Sequence, residues 1–457
     1  MKLFRLFATL LATVAMVACG DKEPIENPDN QGGAPDGALM PPSGVAVVEG
    51  TLTTTSVTIN WEAVQGAVGY QYVLQKGAMR VKSEQTTATE VTFTDLEKQT
   101  DYRFYLYALA EGGKGNSNSS EVLNFRTLSK EPSASGLPVP NLVVDCKGSG
   151  DYTTVKAAIA AIPSTFEGKF VIYIKEGTYK EKLLLRQANV VLVGDGADKT
   201  ILTWDDYQGL YNGSTESDER NRRSYTLRTE GKGTIIQDLT IENTHQNNTG
   251  SGDQAMAVEV FNGSASFFNC NITGYQDTFL GRNNNVYAYV KDSFVEGNVD
   301  FIYGNSVMLF DGCQINVNRN GAAITAPSTS AAAPYGITFI GCEVTADEVG
   351  FDGKTISKIY LGRAWKDAAK SVWIRCKMPA VLDPAGWMAN MNDSVQDDKK
   401  IFAEWGCTYA ESGDGDLSKR QHGGRALTDA EAAEYTYEKI FAGVDHLAAT
   451  KYEVELK

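Results

Sequence analysis

Ile236-Gln237-Asp238-Leu239-Thr240-Ile241 is the first of six short segments that share one pattern. Phe268-Asn269-Cys270-Asn271-Ile272, Val290-Lys291-Asp292-Ser293-Phe294, Asp311-Gly312-Cys313-Gln314-Ile315, Ile340-Gly341-Cys342-Glu343-Val344 and Ile374-Arg375-Cys376-Lys377-Met378 follow it. In each, a small or apolar residue stands two positions before an apolar or aromatic one. Cys270, Ser293, Cys313 and Cys342 are 23, 20 and 29 residues apart. Irregular repeats of that size suit a solenoid whose coils each contribute similar strands. Valine, threonine, isoleucine and aromatic runs recur, long helical patterns are scarce, and 44 glycines provide for many tight turns. Inward positions of such a solenoid stack as ladders. Leu239, Cys270, Ser293, Cys313, Cys342 and Cys376 are expected to form one of them, as buried thiols rather than disulfides.

A chain of 457 residues suggests two or more domains. Its formal charge of −15 excludes a general nucleic-acid binder and disfavours broad electrostatic capture of a polyanion. At the N-terminus, Lys2 and Arg5 precede an apolar run over residues 6–18 that is too short to span a membrane. Residues 1–18 read as a secretory signal. Met16-Val17-Ala18-Cys19 resembles a bacterial lipoprotein box, which implies cleavage before Cys19 and lipidation of its thiol. The plainer alternative is a signal peptide with a chance cysteine. Residues 19–40 are polar and rich in Gly, Pro and Asp, the composition of a flexible tether, and this favours the anchor. The expectation is therefore an exported bacterial lipoprotein at the outer membrane, on its periplasmic side or at the cell surface. Its membrane contact would be the lipid alone. Six further cysteines show no CxxC and no Cys/His spacing suited to zinc, and there are only three histidines, His245, His422 and His446.

Residues 41–127 read as a small β domain. Thr54-Thr55-Ser56-Val57-Thr58-Ile59-Asn60-Trp61 alternates with period two, which puts Val57, Ile59 and Trp61 on one face. Tyr70-Gln71-Tyr72-Val73-Leu74 and Tyr102-Arg103-Phe104-Tyr105-Leu106-Tyr107-Ala108 alternate likewise. This segment resembles a fibronectin type III domain, here expected to act as a spacer. Residues 128–140 form a Ser/Pro-bearing linker, and residues 141–457 form the solenoid domain.

Three segments of that domain carry chemistry. Asp277 lies in Gly274-Tyr275-Gln276-Asp277-Thr278-Phe279, and Asp300 in Gly297-Asn298-Val299-Asp300-Phe301-Ile302-Tyr303-Gly304. Arg363 lies in Leu361-Gly362-Arg363-Ala364-Trp365. Taken singly, an Asp beside Gly and Asn is a turn residue, and an Arg near a Trp is a packing pair. Taken together, two acids in strand-like surroundings make a candidate nucleophile and general acid/base. The Arg would keep one of them ionised, and the other must hold a proton at working pH.

From residue 141 the chain resembles the pectin methylesterase family. The resemblance rests on Val143-Val144-Asp145, Gly148-Ser149-Gly150-Asp151-Tyr152, Ile174-Lys175-Glu176-Gly177-Thr178-Tyr179, Leu192-Val193-Gly194-Asp195-Gly196, Asp238-Leu239-Thr240-Ile241-Glu242-Asn243-Thr244, Gln254-Ala255-Met256-Ala257-Val258, both acid segments and Leu427-Thr428-Asp429-Ala430-Glu431-Ala432, in the family's order. It implies a right-handed parallel β-helix, so the whole chain is expected to be all-β, with an N-terminal β-sandwich. It implies Asp300 as the nucleophile on a galacturonate methyl ester and Asp277 as the acid, then base. Gln254 and Gln276 would donate to the oxyanion, Arg363 would hold Asp300, and Trp365 would pack on the sugar. Tyr303 and Tyr275 are further candidates for the sugar face. An internal amide ladder is the competing explanation for the two glutamines. The expected partner is methyl-esterified pectin (homogalacturonan) as substrate, with no metal or other cofactor, and the protein is expected to be a monomer. Ala364 departs from the family's Pro and would loosen the aim of Arg363 and Trp365. A serine hydrolase is disfavoured by the lack of a Gly-x-Ser-x-Gly elbow. A pectate lyase and a non-catalytic polysaccharide-binding lipoprotein remain as alternatives of other classes.

Overall fold

The computed structural model describes residues 38–48, 50–98, 100–128, 137–211, 224–248, 252–366, 368–392, 395, 397–410 and 415–456. The signal segment, Cys19 and most of the tether lie outside them. The chain divides into two units, Met1–Pro132 and Ser133–Lys457.

The first unit is an antiparallel sandwich. One sheet holds Ala46–Val47, Val57–Asn60 and Glu90–Phe93; the other holds Met79–Thr86, Gly69–Lys76, Asp101–Leu109 and Leu123–Arg126. Val57, Ile59 and Trp61 are buried on one face as the alternation requires, and pack with Tyr72, Phe93 and Phe104. The Tyr102 hydroxyl accepts the Glu97 amide at 2.9 Å, a tyrosine corner that ties a strand start to the preceding loop.

The second unit is a parallel β-helix. Each turn of the chain lays one strand in each of three sheets. Val190–Gly194 is followed by Thr200–Trp204 and Tyr225–Thr229, and Thr234–Gln237 then returns beside the first. Among the described residues, one sheet has eleven strands, from Leu142–Val144 to Gly424–Ala426. A second has nine, from Gly177–Lys180 to Thr408–Tyr409. A third, of seven, runs from Leu183–Leu185 to Ile359–Gly362 and carries the candidate site. Every pairing between these strands is parallel, so the coil itself supplies the crossover that parallel strands need. Inward side chains stack from coil to coil. Phe310, Phe339 and Trp373 form one such column, with Phe339 and Trp373 rings 3.7 Å apart at 7°.

The repeated segments mark one corner of the coil, where the chain leaves the eleven-stranded sheet for the nine-stranded one. Asp238, Asn269, Asp292, Gly312, Gly341, Arg375 and Gly406 all have positive φ there, between 48° and 62°. Asp, Asn and Gly tolerate this left-handed conformation; Arg375 is the exception among the seven. The residue after each is the ladder member: Leu239, Cys270, Ser293, Cys313, Cys342, Cys376 and, beyond the six expected, Cys407. Cys270, Cys313, Cys342 and Cys376 are buried as free thiols. Their Sγ atoms donate to main-chain carbonyls such as Phe268 O, at 3.4 Å from Cys270. Burial pushes the Cys270 thiol up to about 12, so it is inert in the folded protein. Thiol titration should therefore find these four unreactive in the native state and reactive after denaturation. Fewer than four thiols among Cys146, Cys270, Cys313, Cys342, Cys376 and Cys407 in the denatured protein would overturn the free ladder.

Candidate active site

Asp277 and Asp300 occupy the same place in successive coils. Each precedes a strand of the seven-stranded sheet by two residues, and those strands pair with Phe279 opposite Ile302. Adjacent parallel strands are ~4.8 Å apart, so this register alone brings two residues 23 positions apart in sequence to neighbouring levels. Both acids have positive φ, 67° at Asp277 and 51° at Asp300. The turn role that isolated Asp residues suggest is thus real, and the corner it makes also presents the side chain. Main-chain bonds fix both: Asp277 N donates to Val299 O at 3.1 Å, and Asp300 N to Ala323 O at 2.9 Å.

Arg363 arrives from the end of Ile359–Gly362, whose Gly362 pairs with Thr325, itself opposite Ile302. Its guanidinium grips Asp300 with both prongs, Nε to Oδ1 at 2.9 Å and Nη2 to Oδ2 at 2.6 Å. Such a fork is the strongest geometry for a guanidinium and a carboxylate. The two members respond in opposite senses. Burial, the larger influence, pushes the Asp300 carboxyl above the usual carboxylate value, and Arg363 pulls it back. The Asp300 hydrogen bond raises Arg363, and the Asp277 charge adds to it. A guanidinium stays protonated throughout, so the pair titrates at Asp300. The expectation that Arg363 would set the charge of Asp300 therefore needs a second influence beside it, the desolvation of the carboxylate.

Asp277, Asp300 and Arg363 line a cavity of about 230 Å³ together with Gln254, Gln276, Tyr303 and Trp365. Seven of the eight expected site residues thus meet in one place. Tyr275 does not line it; its ring packs edge-on against Phe351, centroids 5.0 Å apart, and its hydroxyl accepts from Gln246 Nε2. Gln254 and Gln276 are partly exposed and face the cavity, not an interior ladder. Trp365 is 36 % exposed beside Tyr303, an aromatic surface at the cavity rim. The Ala364 substitution leaves this arm well held. Arg363 N donates to Thr325 O, Trp365 N to Pro327 O and Met391 N to Ala364 O, at 2.9, 3.1 and 2.9 Å. These three main-chain bonds hold the chain on either side of Ala364.

Two features had no signal in the sequence. Met391 and Ala326 complete the cavity wall, the first from a segment 26 residues beyond Trp365. A latch also holds Gln254. Its carbonyl accepts from Gln208 N and from Ser224 Oγ, both at 2.9 Å. Beside it, Asp253 meets His245 Nε2 at 2.9 Å, and the Tyr207 ring stacks on that imidazole at 3.9 Å.

The family model described as Pectinesterase matches residues 141–444, and that of the fibronectin type III domain matches residues 40–126. Pectinesterase 2 of Citrus sinensis is 30% identical over 321 residues, covering 68% of this chain and 60% of its own. Pectinesterase 2.1 of Solanum lycopersicum is 33% identical over 327 residues, 68% of this chain and 55% of its own. The chain spans about half the length of the first curated relatives it matches. Among solved structures, a pectin methylesterase from carrot superposes with a TM-score of 0.57 at 28% identity, over 66% of this chain and 93% of that one. The fold is shared with a pectin methylesterase from Erwinia chrysanthemi, TM-score 0.55 at 24% identity, over 69% and 99%.

Proposed function

The chain belongs to the pectinesterase family, and from that premise we propose that it hydrolyses galacturonate methyl esters in pectin, giving methanol and de-esterified pectate. The observation that carries this reading is the forked Asp300–Arg363 pair set beside Asp277 and two amides in one cavity.

In the proposed course, Asp300 attacks the ester carbonyl carbon as a carboxylate. The carbonyl π electrons move to oxygen, and the Gln254 and Gln276 amides donate to that oxyanion. A donor so placed is typically worth ~3–4 kcal/mol. The intermediate collapses as the C–O bond to methoxide breaks, and Asp277 supplies the proton that makes methanol. An acyl-enzyme anhydride remains on Asp300. Asp277, now ionised, takes one proton from water, whose oxygen attacks the same carbonyl carbon; the bond to Asp300 breaks, Asp300 leaves as a carboxylate, and the new galacturonic acid group gives its remaining proton to solvent. Arg363 holds Asp300 in line before attack and stabilises it as the departing carboxylate. Trp365 and Tyr303 give the sugar ring an apolar face.

Methanol release from highly methyl-esterified galacturonan, in the presence of a chelator, tests the proposal. Methanol without new ultraviolet absorbance is expected. Unsaturated products that absorb in the ultraviolet, formed without methanol, would point to a lyase. Binding of the polymer with neither product would point to a carbohydrate-binding protein. Gln254→Ala should lower kcat about 100- to 1000-fold with KM little changed, since the amide serves charge that exists only in the transition state. A fall confined to KM would remove Gln254 from the oxyanion.

A further inference from the structure

Gln254 reaches the catalytic cavity from a stretch of chain that is held on both sides. Beyond it, Ala255 N donates to Gln276 O at 3.1 Å and Met256 N to Ser224 O at 2.9 Å. Before it, Gly209 N donates to Gly252 O at 2.8 Å. Asp253 lies between that bond and Gln254, and its carboxylate meets His245.

His245 stands two residues beyond the strand Thr240–Asn243, and the end of that strand places it. Asn243 is buried; its Oδ1 accepts the His245 main-chain amide at 3.0 Å, and its Nδ2 donates to Asp206 O at 3.0 Å and to Met256 O at 3.2 Å. One side chain thus ties three segments: the turn that carries His245, the residue before Tyr207, and the start of the strand Met256–Val260 that follows Gln254. The imidazole fits among them. Its face lies on the Tyr207 ring, with centroids 3.9 Å apart and planes within 9°. Its edge meets Asp253, Nε2 to Oδ1 at 2.9 Å, and the two side chains are only 11 % and 8 % exposed. A carboxylate only accepts, so Nε2 carries the proton. A flat ring with a donor on its edge satisfies both contacts at once. An aliphatic side chain would lose the second.

The placement of Gln254 matters because a donor stabilises an oxyanion only from the right position. A shift of ~1 Å at a reacting centre costs on the order of 100-fold in rate. His245 is not among the residues that line the cavity. Its influence on the reaction must therefore pass along the chain, through Asp253 to Gln254.

We propose that His245 is a positioning residue for Gln254, with the Tyr207 ring and the Asp253 carboxylate as the two sides of the clamp that holds it. This rests on the reading of Gln254 as an oxyanion donor.

The test is a double-mutant cycle on methanol release from methyl-esterified galacturonan, with thermal midpoints to confirm folding. His245→Ala should lower kcat about tenfold with KM little changed. In a Gln254→Ala background the same substitution should cost less than about twofold, because no amide is left to position. His245→Gln keeps a donor toward Asp253 and should recover most of the loss. Tyr207→Leu, at a half-buried position, is the milder variant to use should His245→Ala not fold. It should lower kcat about threefold with the same dependence on Gln254. Hydrogen exchange gives a readout that needs no activity. The Ala255 and Met256 amides should exchange faster in His245→Ala, while Phe279 N, bonded to Phe301 O, exchanges as in wild type. Losses that multiply in the double variant, or unchanged exchange at those two amides, would overturn the clamp. A wild type that releases no methanol would overturn the esterase reading instead, and the exchange comparison would still decide whether His245 holds this stretch of chain.

Discussion

Asp300→Asn is expected to abolish methanol release from methyl-esterified galacturonan, with a loss in kcat of about 10⁴-fold or more. The amide matches the carboxylate in shape, so the cavity and its hold on the polymer should survive. What disappears is the atom that forms the bond to the ester carbonyl. The substituted amide would still meet Arg363, but without charge, and a guanidinium that loses its counter-charge is destabilising. A thermal midpoint must therefore accompany the rate. A folded variant that binds polymer and releases no methanol fits the nucleophile role. Turnover within tenfold of wild type would remove Asp300 from that role, whatever the geometry around it.

Arg363→Met carries the second largest expectation, and its signature lies in the pH profile. Burial raises the Asp300 carboxyl and Arg363 opposes it. With the guanidinium gone, burial acts alone and the carboxyl rises further. The nucleophile works ionised, so activity is present above its pKa and lost as pH falls through it. The acid limb of kcat/KM in the wild type should thus lie above the usual carboxylate value of 3.8. In the variant it should move further toward alkaline pH, because only burial then acts on the carboxyl. At neutral pH the loss should be about 100- to 1000-fold, part of it recovered on raising pH. An acid limb that stays in place while the rate falls would mean that Arg363 positions Asp300 without setting its charge.

Much of the fold was legible because its rules are local. A residue that must turn the corner with positive φ is Asp, Asn or Gly at six of the seven positions from Asp238 to Gly406, and the next residue must fit the interior. That two-residue signature repeats, so the ladder of Leu239, Cys270, Ser293, Cys313, Cys342 and Cys376 could be read before any coil was seen. Cys407 belongs to the same ladder and was missed, because Gly406-Cys407-Thr408 stands apart from the six compared segments. The acids were legible for a related reason. Asp277 and Asp300 each sit at a coil corner two residues before a strand, and the two strands pair, which puts the acids at the same place in successive coils. Tyr275 misled because a strand-adjacent aromatic can turn to either side of its corner, and Phe351, 76 residues away, draws it off.

The sequence by itself determined the solenoid, the N-terminal sandwich and the set formed by Asp277, Asp300, Arg363, Gln254, Gln276 and Trp365, because strand periodicity, corner residues and ordered motifs are properties of neighbouring residues. Tertiary structure alone decided the rest. Closure of the coils made the fork between Asp300 and Arg363, 63 residues apart. It buried Asp300 deeply enough for desolvation to outweigh the guanidinium. It also brought Met391 to the cavity and the Tyr207 ring onto His245. Burial, and the distance between charges far apart in sequence, do not exist until parallel strands are in register, and together they set the charge of the Asp300 carboxyl.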